Sequence, residues 1–546
     1  MSCNDFEKDV LRHLSKRVFD VVIYGGTSAG VVAAVQAARM NMEVLLICEK
    51  GWIGGMTSSG LGAADINDRN YVGGIAREFF CEVYKHYSSV NVWKSETLQD
   101  YLKRLAGNKD TFWGARDDSL QMMWMFEPSV ASHIFEKMLE SSGVVVIRNE
   151  HLAEEVPVEV VDGKIKSIRM ESGKSFSGKI FIDCGYEGDL MQRAGISYVV
   201  GREANTTYGE QKNGILYNGL FMGTEIDPYV IEGRPESGIL PYIEEGTMGN
   251  QGMGDHRIQA YCYRFTLSCD PENQIPFSKP SNYNPFYYEI IARVLKKKKV
   301  KLTDIISLTP VPNCKTDTNH VDFIGACYDY PEGDYQKRSQ IEDEHKNYTL
   351  GLLWFLSKDP RVPEDIRKEM GKWGFPKNEF MDSGSFPWQI YLREGRRMIG
   401  SYIMTEMDIL QPKITDSIGM GTYYFDSHFV SRFVKEQTVM EEGSFWLDDE
   451  VRYPVSYGAI CPKAEECKNL LVPVALSASH AAYGSIRMEP TYMVLAQSAA
   501  TAAALAVIEG CSVQTLSYDS LRNRLLQDGV ILNNVGTVPH LLDGGA

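Results

Sequence analysis

A strand-length run, Phe19-Asp20-Val21-Val22-Ile23-Tyr24, passes directly into Gly25-Gly26-Thr27-Ser28-Ala29-Gly30. Small residues from Val31 to Met40 then read as a helix, and Glu43 to Cys48 as a second buried strand. Asn41 follows the helix where a left-handed residue is wanted, a role Asn fills well. This β-α-β unit constrains the fold more than any other feature. Gly25 permits a tight turn, and Gly30 lets the helix approach the strand. The helix N-terminus then offers free N–H groups and partial positive charge to a pyrophosphate. Glu49, at the end of the second strand, is positioned to accept hydrogen bonds from the ribose hydroxyls of an adenosine. Thr27 occupies the position where a middle glycine is usual, so its side chain must point away from the phosphates or bond to one.

A second cluster, Gly51-Trp52-Ile53-Gly54-Gly55-Met56-Thr57-Ser58-Ser59-Gly60, follows Glu49 and Lys50. A nicotinamide enzyme would usually continue into another helix and strand here. A Gly/Ser/Thr loop instead suits a longer cofactor whose ribityl and ring continue past the pyrophosphate, namely FAD. The loop holds no His, Cys or Tyr, so the expected flavin is non-covalent.

The same texture recurs later. Pro128 to Ser141 has helical periodicity, Val144 to Ile147 reads as a strand, and Ala153 to Asp183 as a β-meander with turns at Asp162-Gly163 and Ser172-Gly173. Residues 200–450 are aromatic-rich, with Pro-bearing loops and no β-α-β rhythm. Asn469 to Val474 returns as a strand and Glu489 to Glu509 as an Ala-rich helix. The expected organisation is a leader helix at 1–17, a discontinuous cofactor domain at 18–200 and 451–515, a substrate lobe at 201–450 and a tail at 516–546.

Four segments carry a resemblance. The stretch YGGTSAGVVAAVQAARMNMEVLLICEKGWIGGMTSSGLGAAD is similar to the N-terminal signature of the FAD-dependent oxidoreductase family of the glutathione-reductase-like superfamily. It most resembles a bacterial branch sometimes labelled xanthan lyase. FIDCGYEGDLMQRAGISYVVGRE resembles the second flavin segment, YLREGRRMIGSYIMTEMDI a helix of the second lobe, and LLVPVALSASHAAYGSIRMEPTYMVLAQSAATAAALA the C-terminal segment that closes over the flavin. The resemblance implies an α/β fold: a three-layer ββα, Rossmann-like FAD domain assembled from separate pieces, with a mixed α+β substrate lobe. It implies that Gly25, Gly26, Thr27, Ser28, Ala29, Gly30, Glu49 and Lys50 hold the adenosine and pyrophosphate. Gly54, Gly55, Met56, Thr57 and Ser58 are implied to line the ribityl and isoalloxazine. Asp183, Cys184, Gly185 and Asp189 match the second segment, and Ser485, Arg487, Met488 and Pro490 the third. Departures lie at Cys184-Gly185-Tyr186, where Thr-Gly-Asp is commoner, and at Ala496 and Ala500, where Gly is commoner.

For chemistry, His480 and Arg487 form the leading cluster: a His takes or gives a proton near neutral pH, and an Arg fixes an anionic substrate or reduced flavin. A hydrogen-bonded structural role competes for His480. Arg393, Arg396 and Arg397 are expected on one helix, where they would clamp a carboxylate or pair with acids between lobes. Asp426-Ser427-His428 invites a hydrolase reading, but adjacency is not triad geometry and no G-x-S-x-G elbow accompanies it. The expected reaction is hydride transfer between a small organic substrate and FAD, with oxygen, a quinone or a protein as electron acceptor. A flavin monooxygenase or halogenase, and a scaffold with a degraded flavin site, stand as alternatives.

Composition narrows the rest. The net charge of −16 disfavours a nucleic-acid or anionic-membrane surface. Eleven scattered cysteines with no C-x-x-C pair argue against a disulfide framework, although Cys461 and Cys467 lie close enough for one bridge. The ten histidines show no H-E-x-x-H or H-x₃-H spacing, so no metal is expected. The charged start lacks a signal-peptide core, which favours a cytoplasmic protein. The apolar stretch from Met493 to Ile508 is shorter than the ~20 residues a membrane span needs.

Overall fold

The computed structural model describes residue 14 and residues 16–533, apart from 109–113, 156–157, 247 and 448–449. The expected leader helix and the last part of the tail lie largely outside the described residues.

Strand β1 (Val18–Tyr24), helix α1 (Ser28–Arg39) and β2 (Val44–Ile47) form the β-α-β unit read from the sequence. Gly25 sits at φ +109, and a Cβ there would meet the Cys184–Gly185 peptide, so this turn tolerates only glycine. Gly30 lies under the turn it caps, and a Cβ on it would collide with the Gly25 carbonyl. Asn41 adopts φ +61 behind the helix, as expected.

The main sheet is mixed, with order β3-β2-β1-β6-β5-β4, where β3 is Val145–Ile147, β4 Glu159–Val161, β5 Lys164–Arg169 and β6 Ser175–Asp183. β1, β2, β3 and β6 are parallel, whereas β4 and β5 form the antiparallel meander. β7 (Leu470–Leu471) arrives from far along the chain and pairs parallel with the end of β6, Leu471 opposite Ile182. The strands at the centre are apolar on both faces because helices and loops cover both sides.

Helix α2 (Pro128–Ser142) packs on α1, as does α4 (Glu489–Glu509), while the short α3 (His480–Ile486) precedes α4. The contact between α1 and α4 is built from small residues: Ala33, Ala34 and Ala37 on one side, with Ala496, Ala499, Ala500 and Ala503 buried on the other helix. Gln36 Nε2 donates to Thr501 Oγ1 at 3.0 Å and Gln36 Oε1 accepts from Gln497 Nε2 at 3.4 Å, so the buried amide inside this contact is satisfied. The methyls of Ala496 and Ala500 therefore fill helix-packing space in the core. Among the described residues α4 alone is long and apolar enough to cross a membrane, and 83% of its apolar window is buried inside the protein.

Between residues 200 and 460 the strands are short and antiparallel. Phe265–Ser268 and Thr309–Val311 flank Lys315–Thr318, and Tyr217–Leu220 and Ser431–Lys435 flank Thr438–Glu442. Two expectations are corrected here. The segment Tyr391–Gly400 is not helical; only Glu406–Leu410 forms a helix nearby. Arg393, Arg396 and Arg397 therefore share no helix face. Each instead extends into its own ion pair: Arg393 with Asp322 at 2.9 Å, Arg396 with Asp189 at 2.7 Å, Arg397 with Glu203 at 2.7 Å. Burying these guanidiniums demands partners from several directions, which an extended chain supplies and one helix face does not. The strand expected over Asn469–Val474 is likewise reduced to two residues. Cys461 and Cys467 are buried free thiols.

Candidate functional site

Two cavities stand out, one at the N-terminal end of α1 and one lined mostly by residues between 221 and 446. The first, about 290 Å³, is lined by Gly26, Thr27, Glu49, Lys50, Gly55 and Gly185, with Tyr186, Asp189, Arg338 and Trp388 among the surrounding side chains. The second, about 600 Å³, is lined by residues that include Asp65, Arg264, Asp322, Tyr391, Asp426 and His428. Among the described residues none lines both.

Main chain forms one wall of the first cavity. Ser28 and Ala29 open α1, and their N–H groups have no acceptor within the helix. Thr27 is the N-cap: its hydroxyl accepts from Gly30 N–H at 3.2 Å and donates to the Cys184 carbonyl at 2.8 Å. The residue in place of the middle glycine thus ties the first turn to the second segment and turns its hydroxyl away from the cavity. Glu49 lines the cavity at the end of β2. Burial, and then the charge of Glu187, pushes its carboxyl up to about 8. Asp183 closes the 183–191 turn, accepting from Gly185 N–H at 3.1 Å and Met191 N–H at 2.9 Å. Burial nevertheless raises its carboxyl to about 7, against those two hydrogen bonds. Asp189 pairs with Arg338 at 2.7 and 2.9 Å and with Arg396 at 2.7 Å. Burial works against its charge, but the two guanidiniums prevail and hold it at about 2. Lys50 donates to the Trp388 carbonyl at 3.2 Å.

The remaining predicted residues lie deeper. Gly54 has φ +99 beside Phe135, and Thr57 and Ser58 are fully buried. Thr57 Oγ1 donates to Glu489 at 2.7 Å, while Ser58 Oγ bonds to the Ile53 carbonyl. Met56 N–H donates to the Tyr186 hydroxyl at 2.9 Å. Ser485 bonds to the Tyr423 carbonyl and to the Tyr453 hydroxyl, and Met488 packs with Tyr423 and Tyr424. Pro490 occupies the first turn of α4, where its missing N–H costs nothing.

His480 lines neither cavity. Its Nδ1 lies 2.7 Å from Glu394, and Nε2 is 3.5 Å from Ser427 Oγ. Arg487 is buried behind the second cavity. It donates to the Tyr391 hydroxyl at 2.9 Å and to Asp426 at 3.2 Å, and its Nε has no hydrogen-bond partner. Tyr391 is ringed by three guanidiniums, those of Arg264, Arg393 and Arg487.

The second cavity also contains a pair that the sequence did not reveal, formed by the His of the Asp426-Ser427-His428 run. His428 Nδ1 is 2.6 Å from Asp322 Oδ2, and Nε2 is 3.8 Å from Asp426 Oδ1. An ionised carboxylate only accepts, so Nδ1 donates to Asp322, and Nε2 is the nitrogen on the Asp426 side. Burial opposes the charge of Asp322, but Arg393 and His428 outweigh it and keep the carboxyl well below the usual range. Ser427 Oγ donates to the Gly443 carbonyl at 3.2 Å and makes no hydrogen bond to the His428 ring. The Asp-Ser-His run is no triad. Its useful signal was the His, whose partner Asp322 lies more than a hundred residues earlier. Among the described residues no group of His, Cys, Asp and Glu is arranged to hold a metal ion.

A glycine-cradled helix N-terminus on a parallel-strand sheet, with a carboxylate at the end of the next strand, defines a dinucleotide-binding α/β protein. The FAD-dependent oxidoreductase family model matches residues 20–525, and the chain belongs to that family. FAD is its cofactor. No curated protein matches the chain. Among solved structures it is similar to a mutant flavin monooxygenase from Stenotrophomonas maltophilia, with 11% identity, 30% of this chain and 37% of that chain covered, and a TM-score of 0.18. It is also similar to L-proline dehydrogenase from P. horikoshii, with 14% identity, coverage of 34% and 57%, and a TM-score of 0.22. The L-amino acid deaminase from Proteus vulgaris gives 14% identity, coverage of 37% and 54%, and a TM-score of 0.23. The chain thus spans between about a third and somewhat over half the length of these proteins.

The first cavity fits the adenosine and pyrophosphate end of FAD. A Cβ on Gly185 would stand 3.5 Å from the Glu49 carboxyl and take up ligand space, and Glu49 itself lines the wall where a ribose would meet it.

Proposed function

We propose that the protein transfers a hydride between non-covalently bound FAD and a small polar organic molecule held in the second cavity, with residues 201–450 supplying most of that substrate site. FAD, when bound, supplies the two-electron acceptor or donor. The observation that carries the reading is the His428–Asp322 pair on the wall of the second cavity. Asp322 fixes the imidazole tautomer and steadies the imidazolium, so Nε2 takes a proton from a substrate hydroxyl or amine, or returns it in the reverse direction. Arg487 orients Tyr391 and Asp426 along the same wall. His480 acts through Ser427 and Glu394 as a positioning residue.

Charges lining this cavity are largely paired within the protein: Arg264 with Asp317 and Asp65, Arg432 with Glu441, Asp426 with Arg487. The site therefore favours a neutral, hydrogen-bonding substrate over a strongly ionic one. The test is a visible spectrum before and after adding FAD and desalting, followed by anaerobic bleaching with panels of sugars, hydroxy acids and amines. His428→Asn is expected to retain the flavin bands and slow bleaching by about 10²- to 10⁴-fold. Bleaching at the wild-type rate would remove His428 from the reaction.

A further inference from the structure

Tyr186 forms part of the wall of the first cavity. The phenol accepts from Met56 N–H at 2.9 Å and donates to Glu489 Oε1 at 2.6 Å. The other oxygen of Glu489 accepts from Ser28 Oγ at 2.5 Å and from Thr57 Oγ1 at 2.7 Å. All of these groups are buried. They join the Gly25–Gly30 turn, the Gly54–Ser58 loop, the 183–189 turn and the first residue of α4 in one polar knot. Gly55 sits directly against the phenol: at φ +55, a Cβ there would collide with the Tyr186 hydroxyl. Tyr186 and Gly55 line the first cavity, whereas Ser28, Met56, Thr57 and Glu489 line neither. Pro490, next to Glu489, lines a small cavity with Asp65 and Tyr423, two residues that also line the second cavity, so the knot lies between the first cavity and the second.

The chemistry of the knot matters as much as its position. Met56 N–H and the Ser28 and Thr57 hydroxyls are donors of the kind that bind phosphate and ribityl oxygens, and here protein acceptors use all of them. Glu489 is a carboxylate buried at the start of the phosphate-binding turn. Burial pushes its carboxyl up, against the three hydroxyls that hydrogen-bond to it.

We propose that Tyr186 is a latch that determines which ligands the first cavity takes. Closed, it admits the adenosine-phosphate part alone. For FAD to bind, the phenol has to leave Met56 and Glu489, which releases a main-chain N–H for the incoming cofactor. This rests on the reading that the ligand joining the two cavities is FAD.

The test compares ADP and FAD on wild type, Tyr186→Phe and Tyr186→Ala, with urea midpoints to verify folding. Flavin-free protein is read by stopped-flow quenching of flavin fluorescence. Protein that purifies with FAD is read by exchange of bound for radiolabelled FAD. ADP affinity is read by calorimetry on flavin-free protein. The expected result is FAD association or exchange at least about ten-fold faster in Tyr186→Ala and several-fold faster in Tyr186→Phe, which keeps the ring but loses both hydrogen bonds. ADP affinity should stay within about three-fold throughout. FAD rates equal in all three proteins would overturn the latch and leave the proposed function standing. ADP binding to wild type and Tyr186→Ala with FAD binding to neither would overturn both.

Discussion

The two cavities are made in opposite ways. The first has a main-chain wall, a helix N-terminus, glycines and a strand end supplied by residues 26–55 and the 183–189 turn, faced by side chains such as Arg338 and Trp388. The second is a side-chain object assembled from Asp65, Arg264, Asp322, Tyr391, Asp426 and His428, which are scattered over more than 350 residues. Main-chain sites depend on where a Cβ is absent, whereas side-chain sites depend on which charges find partners. The first kind fails when an atom is added, the second when one is removed.

The sharpest test of this contrast is Gly30→Val. Its Cβ would enter the Gly25 carbonyl, so the turn cannot keep its shape. The expected outcome is protein destabilised by about 3 kcal/mol or more that retains no flavin after desalting. Retained flavin bands would break the comparison outright.

Arg487→Met probes the other side. It strips the guanidinium from Asp426 and Tyr391 without adding bulk. A loss of about 2 kcal/mol in stability is expected, with a raised KM and flavin content unchanged. Loss of FAD instead would show that Arg487 belongs to the cofactor, not to the substrate wall.

The smallest effect is a pH dependence. Glu49, raised to about 8, keeps its proton in the folded chain, while in the unfolded chain it ionises near ~4.3. Between those values the folded state binds the extra proton, so this stabilisation is full below the unfolded pKa and is lost as pH rises through 8. In chemical denaturation, the stability of wild type relative to Glu49→Gln should fall steadily as pH rises from about 5 through 8. Parallel profiles would mean that the carboxyl is solvated and the first cavity less closed than its walls indicate.

The same contrast explains what could be read in advance. Gly25, Gly30, Glu49, Asn41 and the span of α4 were legible because local sequence decides turns, caps and buried helices. Arg393, Arg396 and Arg397 were misplaced onto a helix because their i, i+3 and i, i+4 spacing carries no information about partners such as Asp189, Glu203 and Asp322. His428 was undervalued because its carboxylate lies far away in the chain. Tyr186 and Glu489 are visible as departures or as single letters, but nothing in either segment shows that they meet.

One connection in the sheet bears on how the protein is made. β6 receives β7 only after residue 471 exists, and α1 has its Ala-lined face uncovered until α4 has been synthesised. At roughly 5–20 residues per second a ribosome takes on the order of 15 to 60 s to travel from the 183 turn to the end of that helix. Throughout that interval the nascent chain carries a nearly finished nucleotide turn with an open greasy flank. The nucleotide site is therefore completed only once α4 has been made.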